Sequence, residues 1–436
     1  MRLLVSSGIF LCFLWGVLAI WSNQALPVPI IGMLSIQALA WGTVLWTWKQ
    51  QQKDLKKHKS TILGLAILMR IPSFFATPIY EDDYFRFLWD GWNFITKGSP
   101  YLGPPEKFFD QPGYSESLQS ILYNVNYPEV PTIYPPACQI FFALAALIGP
   151  LQLWALRLVL LCVELSSLLI FFRIASAKQL LLLAWCPLLV FECTFQVHPD
   201  FLGASLLLLA FYARQRKAPL ATGFFSALAL GIKVTALPAL PFLLWPLHKK
   251  SLLGFLATLT LMYLPFFLQG SKADFDGLIV FSRDWEFNAS LYSIGSTILP
   301  KTLTKLIMLS LFSLVFFLLW FFWQNRGSTQ HEIPKTLVVI YGTLFLVSPV
   351  VNSWYLLWIL PFVCLAPRHW SITALIVTSL SYIRGQTLLE SSLDEFSQPL
   401  WIQILEYSLV LALATGSILS WAKKARTIKR VNSKMI

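Results

Sequence analysis

Charge is scarce in this 436-residue chain: Asp, Glu, Lys and Arg make up 12% of it, the acids number 21, and the histidines five. So small a polar complement cannot clothe a water-soluble domain of this length, because 56% of the residues are hydrophobic and the mean hydropathy is +0.65. The six cysteines (Cys12, Cys138, Cys162, Cys186, Cys193, Cys364) lie in or beside apolar stretches, and none forms a C-x-x-C pair. That excludes a dithiol redox motif and leaves them as helix-packing residues. Short alternating strands are missing too, so a membrane barrel is excluded. No internal repeat and no long low-complexity segment is visible.

What the chain has instead is a succession of apolar runs, near 5–22, 27–48, 60–76, 152–172, 179–191, 200–213, 218–234, 236–247, 252–268, 303–324, 335–350, 353–366, 370–384 and 400–421. In lipid every backbone polar group must be satisfied within the segment, which selects helices. The expected fold class is therefore all-α: a polytopic membrane helix bundle of about 12–15 transmembrane helices, forming one integral-membrane domain over residues 1–436. The first run, Leu4 to Trp21, lacks a small-residue cleavage site and reads as an uncleaved helix.

The net charge of +12 does not point to nucleic acid, because the basic residues sit in short connections. These carry Lys49, Lys53, Lys56, Lys57 and Lys59; Arg173 and Lys178; Arg214, Arg216 and Lys217; His248, Lys249 and Lys250; Arg326 and Lys335; Arg368; and the tail Lys423, Lys424, Arg426, Lys429 and Arg430. Positive residues favour the cytoplasmic side, and threading the chain puts all of these there, with both termini inside. Loops 77–134, 192–199, 269–302 and 385–399 then share the opposite face. The stretch Pro135 to Pro150 breaks the parity and is expected to be re-entrant or interfacial.

Eight of the 21 acids fall between Tyr80 and Tyr134, and three are consecutive: Glu81-Asp82-Asp83. Carboxylates this close repel one another, which keeps at least one basic enough to accept a proton unless a cation binds between them. Asp82 or Asp83 also suits the N-cap of a following helix. The stretch Tyr84 to Thr96 has Phe85, Leu88, Trp89, Trp92 and Ile95 on one face and is expected to lie on the membrane.

Further polar groups fall on the same face. His198-Pro199-Asp200 forms a short outer turn. Lys233 ends an apolar helix on the side where positive residues are disfavoured, so it needs an anion, a carboxylate or a phosphate. Arg283-Asp284-Trp285-Glu286-Phe287-Asn288-Ala289-Ser290 is a second charged cluster, and Asn288-Ala289-Ser290 matches a glycosylation acceptor pattern. Ser348 to Tyr355 bridges two helices with aromatics placed as interface anchors. Acids, an anion site and an aromatic wall at one water–lipid boundary suit a substrate with a lipid tail, a phosphate and a sugar. Transfer from such a donor needs a base for the acceptor hydroxyl and cations for the departing phosphate, but no general acid.

Tyr80-Glu81-Asp82-Asp83-Tyr84, then Thr96-Lys97-Gly98-Ser99-Pro100-Tyr101-Leu102 and Tyr134-Pro135-Pro136, resemble the first lumenal loop of the GPI mannosyltransferase I catalytic subunit and its prokaryotic relatives, within the multi-spanning GT-C glycosyltransferases. Gly231-Ile232-Lys233, the Arg283 to Tyr292 loop and Trp354-Tyr355-Leu356-Leu357-Trp358 follow in the same order. Glu81-x-Asp83 stands where that family has its D-x-D motif, with Glu81 in place of the usual first Asp. Two helices precede the motif helix where most GT-C enzymes have one, and the family's GPI acceptor does not transfer to this chain.

The resemblance implies a hexosyltransferase, with mannose the expected sugar, a polyprenyl-phosphate donor, a lipid-linked or glycan acceptor, and inversion at the anomeric carbon. Asp83, with Asp82 or Glu81, is the expected base, or positions the acceptor through a divalent cation (Mn or Mg) held by Glu81 and Asp83. Lys233 and Arg283 are expected to hold the phosphate. His198, Asp200, Glu286, Asn288 and Tyr134 are expected to line the substrate pocket. A bacterial cytoplasmic membrane is favoured over the ER, with the site extracytoplasmic and membrane lipids around the bundle. The rival class is a transporter or flippase for a lipid-linked sugar. Transporters place ionisable residues near the midplane and often carry inverted repeats, whereas these acids lie in a loop at one face.

Overall fold

The computed structural model describes residues 1–50, 58–325, 330–388 and 394–432, the last helix's side chains as far as residue 417. Lys53, Lys56, Lys57 and Arg326, and the side chains of Lys423, Lys424, Arg426, Lys429 and Arg430, lie outside the described residues. The chain is an all-helical bundle. Among the described residues the sole sheet-like pairing is the single bridge between Phe287 and Val350.

Among the described residues seven helices are long and apolar enough to cross a membrane: Arg2–Ser22 (α1), Ile30–Gln50 (α2), Leu153–Ile174, Ala177–Phe195, Lys249–Leu268, Lys301–Asn325 and Leu400–Ser417. The expected 12–15 crossings resolve into these and a set of shorter apolar helices, among them Lys59–Phe74 (α3), Pro136–Ile148, Pro219–Leu230 and Val234–Leu244. Several runs, one of the seven included, are interrupted by their own residues. Pro187 interrupts the run after Ala184, Pro238 and Pro241 that after Lys233, and Pro361 follows the 3-10 turn Ser353–Trp358. A proline lacks the N–H that continues a helix and clashes with the preceding turn.

Two ends of the bundle are defined by hydrogen bonds. At one, Lys59 Nζ donates to the carbonyls of Phe172 and Ala175, Lys178 lies over Trp48, Thr47 reaches Ser7, and Gln179 donates to Leu365 O. The connections carrying Lys59, Arg173 and Lys178 meet here. At the other, Asn23 donates to Phe75 O, Tyr80 OH to Val28 O, and Arg157 to Phe74 O and Phe195 O. The acidic motif is at this second end.

Asp83–Lys97 (α4) is the amphipathic helix expected after the motif, and Gly98 ends it at φ 80°, in the left-handed region glycine enters freely. Asp82 occupies the N-cap position but makes no side-chain capping bond. The helix's buried face includes Leu88 and Trp89, as expected, yet it is turned toward Asp90, Gly91 and Asn93. The cause is Pro136–Ile148, which packs so close that a Cβ on Gly91 would lie 2.4 Å from Phe142 O. Pro136–Ile148 starts beside Gly231, whose carbonyl accepts from Cys138 N, and turns through Gly149 into the start of Leu153–Ile174, at the acidic end again.

One ion pair lies deep in the bundle. Arg70 of α3 bonds Glu164 through Nε (2.8 Å) and Nη2 (2.5 Å), and its Nη1 donates to the carbonyls of Ala66 and Ala184. Thr194 takes the second carboxylate oxygen. The pair is satisfied on both sides and reads as a structural rivet.

Candidate active site

The acidic motif is presented by a strapped turn. Gln196 clasps Ile79 from both sides, Oε1 accepting from its N–H at 2.8 Å and Nε2 donating to its carbonyl. Tyr80 then takes a left-handed φ of 66°, which a non-glycine residue adopts only when its surroundings enforce it. Its carbonyl accepts from Arg384 and its hydroxyl donates to Val28 O. Glu81 follows, then Asp83 opens α4.

Glu81, Asp83, Arg86, Tyr134, Lys233, Glu286, Asn352, Trp354, Tyr355 and Arg384 line one cavity. Arg86 closes its floor by donating to the carbonyls of Val130, Asn126 and Tyr127, which ties the 126–130 segment to α4. Glu286 is held in place because residue 287 pairs with the 349–351 segment: Phe287 N donates to Pro349 O and Val351 N to Phe287 O, both at 2.9 Å. Tyr292 and Lys301 occupy its two oxygens at 2.7 and 3.0 Å.

The carboxylates differ in environment. Glu81 is 7% exposed and its Oε1 lies 3.1 Å from Arg384 Nη2, an ion pair whose angle leaves that oxygen without a hydrogen bond. Burial raises its pKa to about 7, against the opposing charge of Arg384. Burial, and then the neighbouring charge of Asp83, raises Asp82 to about 6; its partner is Asn126 at 3.4 Å. Asp83 lines the cavity with no hydrogen-bond or ion-pair partner among the described residues.

Lys233 is the cavity's amine. Its Nζ lies 4.1 Å from the centre of the Tyr355 ring and 3.2 Å from Asp200 Oδ1. Asp200 is therefore the counter-charge behind Lys233, fixed also by Trp358 Nε1 at 2.8 Å, and does not line the cavity as expected. His198 is likewise one layer back. Its ring stacks on Trp354 at 3.8 Å and 13°, its Nδ1 meets Glu192 at 3.0 Å, and its Nε2 has no partner. Burial alone would lower the imidazole's pKa; the Glu192 bond and the charges of Glu192, Glu81 and Asp83 raise it above its ordinary value. Glu192 is further held by Ser353 (2.7 Å) and Tyr382 (3.0 Å).

Two expected site residues do not line that cavity themselves. Arg283 is 70% exposed, forks onto its neighbour Asp284 at 2.8 Å twice, and lines an adjoining cavity that shares Tyr127, Val130, Pro131, Trp285 and Glu286 with the first. Its guanidinium is paired locally with Asp284. Asn288 is buried, its amide on Glu406 at 3.2 and 3.3 Å, and it supports the Glu286 loop from behind. Arg384 is the residue sequence reasoning missed. It carried the same signal as Lys233, a lone basic residue at the acid-rich face, just before the 385–399 loop.

The expected Mn or Mg site fits these residues poorly. Arg384 stands where an ion would approach Glu81, and among the described residues no group of three or more His, Cys, Asp or Glu is arranged to hold a metal.

A second, largely apolar groove is lined by Pro135, Leu230, Val234, Leu237, Leu259 and Phe275. Pro135 follows Tyr134 and Val234 follows Lys233, so chain neighbours of two cavity residues line it.

A family model described as alpha-(1->6)-mannopyranosyltransferase, N-terminal domain, matches residues 14–249, more than half of the chain. The chain belongs to that mannosyltransferase family. No curated protein and no solved structure matches it. The matched part of this mannosyltransferase contains the acidic motif, His198, Asp200 and Lys233, while Glu286, Asn352 and Arg384 come from the rest of the chain.

Proposed function

We propose that this protein transfers mannose from a polyprenyl-phosphate donor to a hydroxyl of a lipid-linked or glycan acceptor, with inversion at the anomeric carbon. The observation that carries the reading is the cavity joining Asp83 and Glu81 to Lys233, with an apolar groove lined by the chain neighbours of Tyr134 and Lys233. The groove suits an isoprenoid tail, the ammonium a phosphate, and the cavity with Trp354 and Tyr355 a sugar ring.

Asp83 takes the proton of the acceptor hydroxyl as its oxygen attacks the anomeric carbon. The bond from that carbon to the phosphate oxygen breaks, and the electron pair leaves with the lipid phosphate beside Lys233. A phosphate is already a good leaving group, so stabilising its charge replaces protonation. The family's bond is α-(1→6), so inversion calls for a β-linked donor and a primary hydroxyl as acceptor.

The site end of the bundle lies opposite the basic connections, which supports an extracytoplasmic site in a bacterial cytoplasmic membrane. The test is transfer by the purified protein from polyprenyl-phosphate mannose to a mannoside acceptor, with the product's linkage read by NMR. Movement of the donor across sealed vesicles without transfer would instead identify a flippase.

A further inference from the structure

We infer that Arg384 is the resident cation of the acidic motif: its guanidinium, and no divalent ion, holds Glu81 and thereby aims Asp83 at the acceptor. This rests on the transferase reading above.

The argument is one of pairing. Four cations stand at the cavity or directly behind it: Arg86 is taken up by the carbonyls of Val130, Asn126 and Tyr127, and each of the other three is matched to one acid, Lys233 to Asp200, His198 to Glu192, and Arg384 to Glu81. The acids facing Glu81 are Asp83 from α4 and Glu192 from the 190–195 turn, and the remaining cation near it, His198, is bound to Glu192. Arg384 is therefore the charge that holds Glu81. It also donates to the Tyr80 carbonyl and, at 2.9 Å, to Gln386 Oε1, so it holds the turn three residues before Asp83. Its side chain is 4% exposed, with the Phe396 ring 5.0 Å from Cζ. A divalent ion between Glu81 and Asp83 would have to strip this buried guanidinium of its carboxylate, although its Nε already lacks a partner. Breaking such a pair is strongly unfavourable. Arginine suits the role because it cannot lose its charge and its plane holds several acceptors at once.

The experiment compares wild type, Arg384→Lys, Arg384→Gln and Glu81→Gln in detergent. Transfer is measured with and without EDTA, kcat and KM are separated, and Mn2+ binding is followed by electron paramagnetic resonance. Expected are wild-type transfer unchanged by EDTA, no stoichiometric Mn2+ binding, and a kcat lowered about 100-fold in Arg384→Gln with donor KM little altered. Arg384→Lys should recover part of the loss, which a merely structural role would not predict. EDTA abolishing transfer with Mn2+ restoring it, stoichiometric Mn2+ binding that Glu81→Gln removes, or a wild-type kcat in Arg384→Gln would each overturn the inference. Should Arg384→Gln lose its monodisperse elution, the EDTA and Mn2+ measurements on wild type still decide. Absence of any transfer by wild type would be the failure of the transferase reading, and Mn2+ binding alone would then judge Arg384.

Discussion

Lys233 and Asp200 form a pair whose two members face different surroundings: the ammonium reaches the cavity, while the carboxylate is 2% exposed and shares its Oδ1 with Trp358. The amine is thus aimed by a group the substrate never touches. Lys233→Met should lower kcat/KM by at least about 100-fold, through loss of phosphate stabilisation. Asp200→Asn should destabilise the protein as well, by roughly 3–5 kcal/mol if the lysine stays charged. Transfer kinetics and thermal unfolding in detergent separate the two.

Asp83→Asn should reduce kcat by about 10²–10⁴, the usual worth of a general base, with elution and unfolding temperature unchanged. The carboxylate has no partner to lose among the described residues, so stability has no reason to fall. Full transfer by this variant would remove Asp83 from the mechanism.

Arg283→Ala should leave transfer within about twofold of wild type, because a fully exposed ion pair contributes little. A loss of donor affinity comparable to that of Lys233→Met would restore Arg283 as a phosphate ligand.

The pH dependences of stability and activity should run in opposite directions. Glu81 and Asp82 have pKa values raised to about 7 and about 6, so between about pH 4 and 7 the native carboxyls hold protons that the unfolded chain has released. The unfolded state then binds fewer protons, and unfolding free energy falls as pH rises through this window. The Glu81–Arg384 pair needs Glu81 ionised, so transfer should rise with pH over the same range. Parallel pH profiles of unfolding temperature and kcat/KM test this, and a transfer rate already at its plateau by pH 5 would contradict it.

Gly223 and Gly254 bring Pro219–Leu230 and Lys249–Leu268 into backbone contact. A Cβ on Gly223 would lie 1.9 Å from Ser251 O, and one on Gly254 2.4 Å from Leu220 O. Carbonyl oxygens of packed helices cannot swing aside, so Gly223→Ala should cost about 1–3 kcal/mol or more. Unfolding in detergent should show it, and Gly416→Ala, where nothing lies within 4 Å, is the control.

Much of the site was legible in sequence because membrane topology is a one-dimensional constraint. Counting apolar runs and basic connections placed Glu81-Asp82-Asp83, Lys233 and Glu286 at one end. Roles were less legible. Asp200 and His198 share that end, but depth is not encoded in a linear pattern, and both stand behind the aromatic residues that face the cavity. Arg283 pairs locally with the opposite charge beside it, a contact that a count of runs and charges does not register.

By itself the sequence determined that this is a helical membrane protein, because the cost of burying open backbone in lipid leaves no other arrangement for so apolar a chain. Only tertiary structure decided which cation meets which acid. Arg384 reaches Glu81 across most of the chain, and Coulomb attraction depends on separation in space, which helix packing sets and sequence spacing does not.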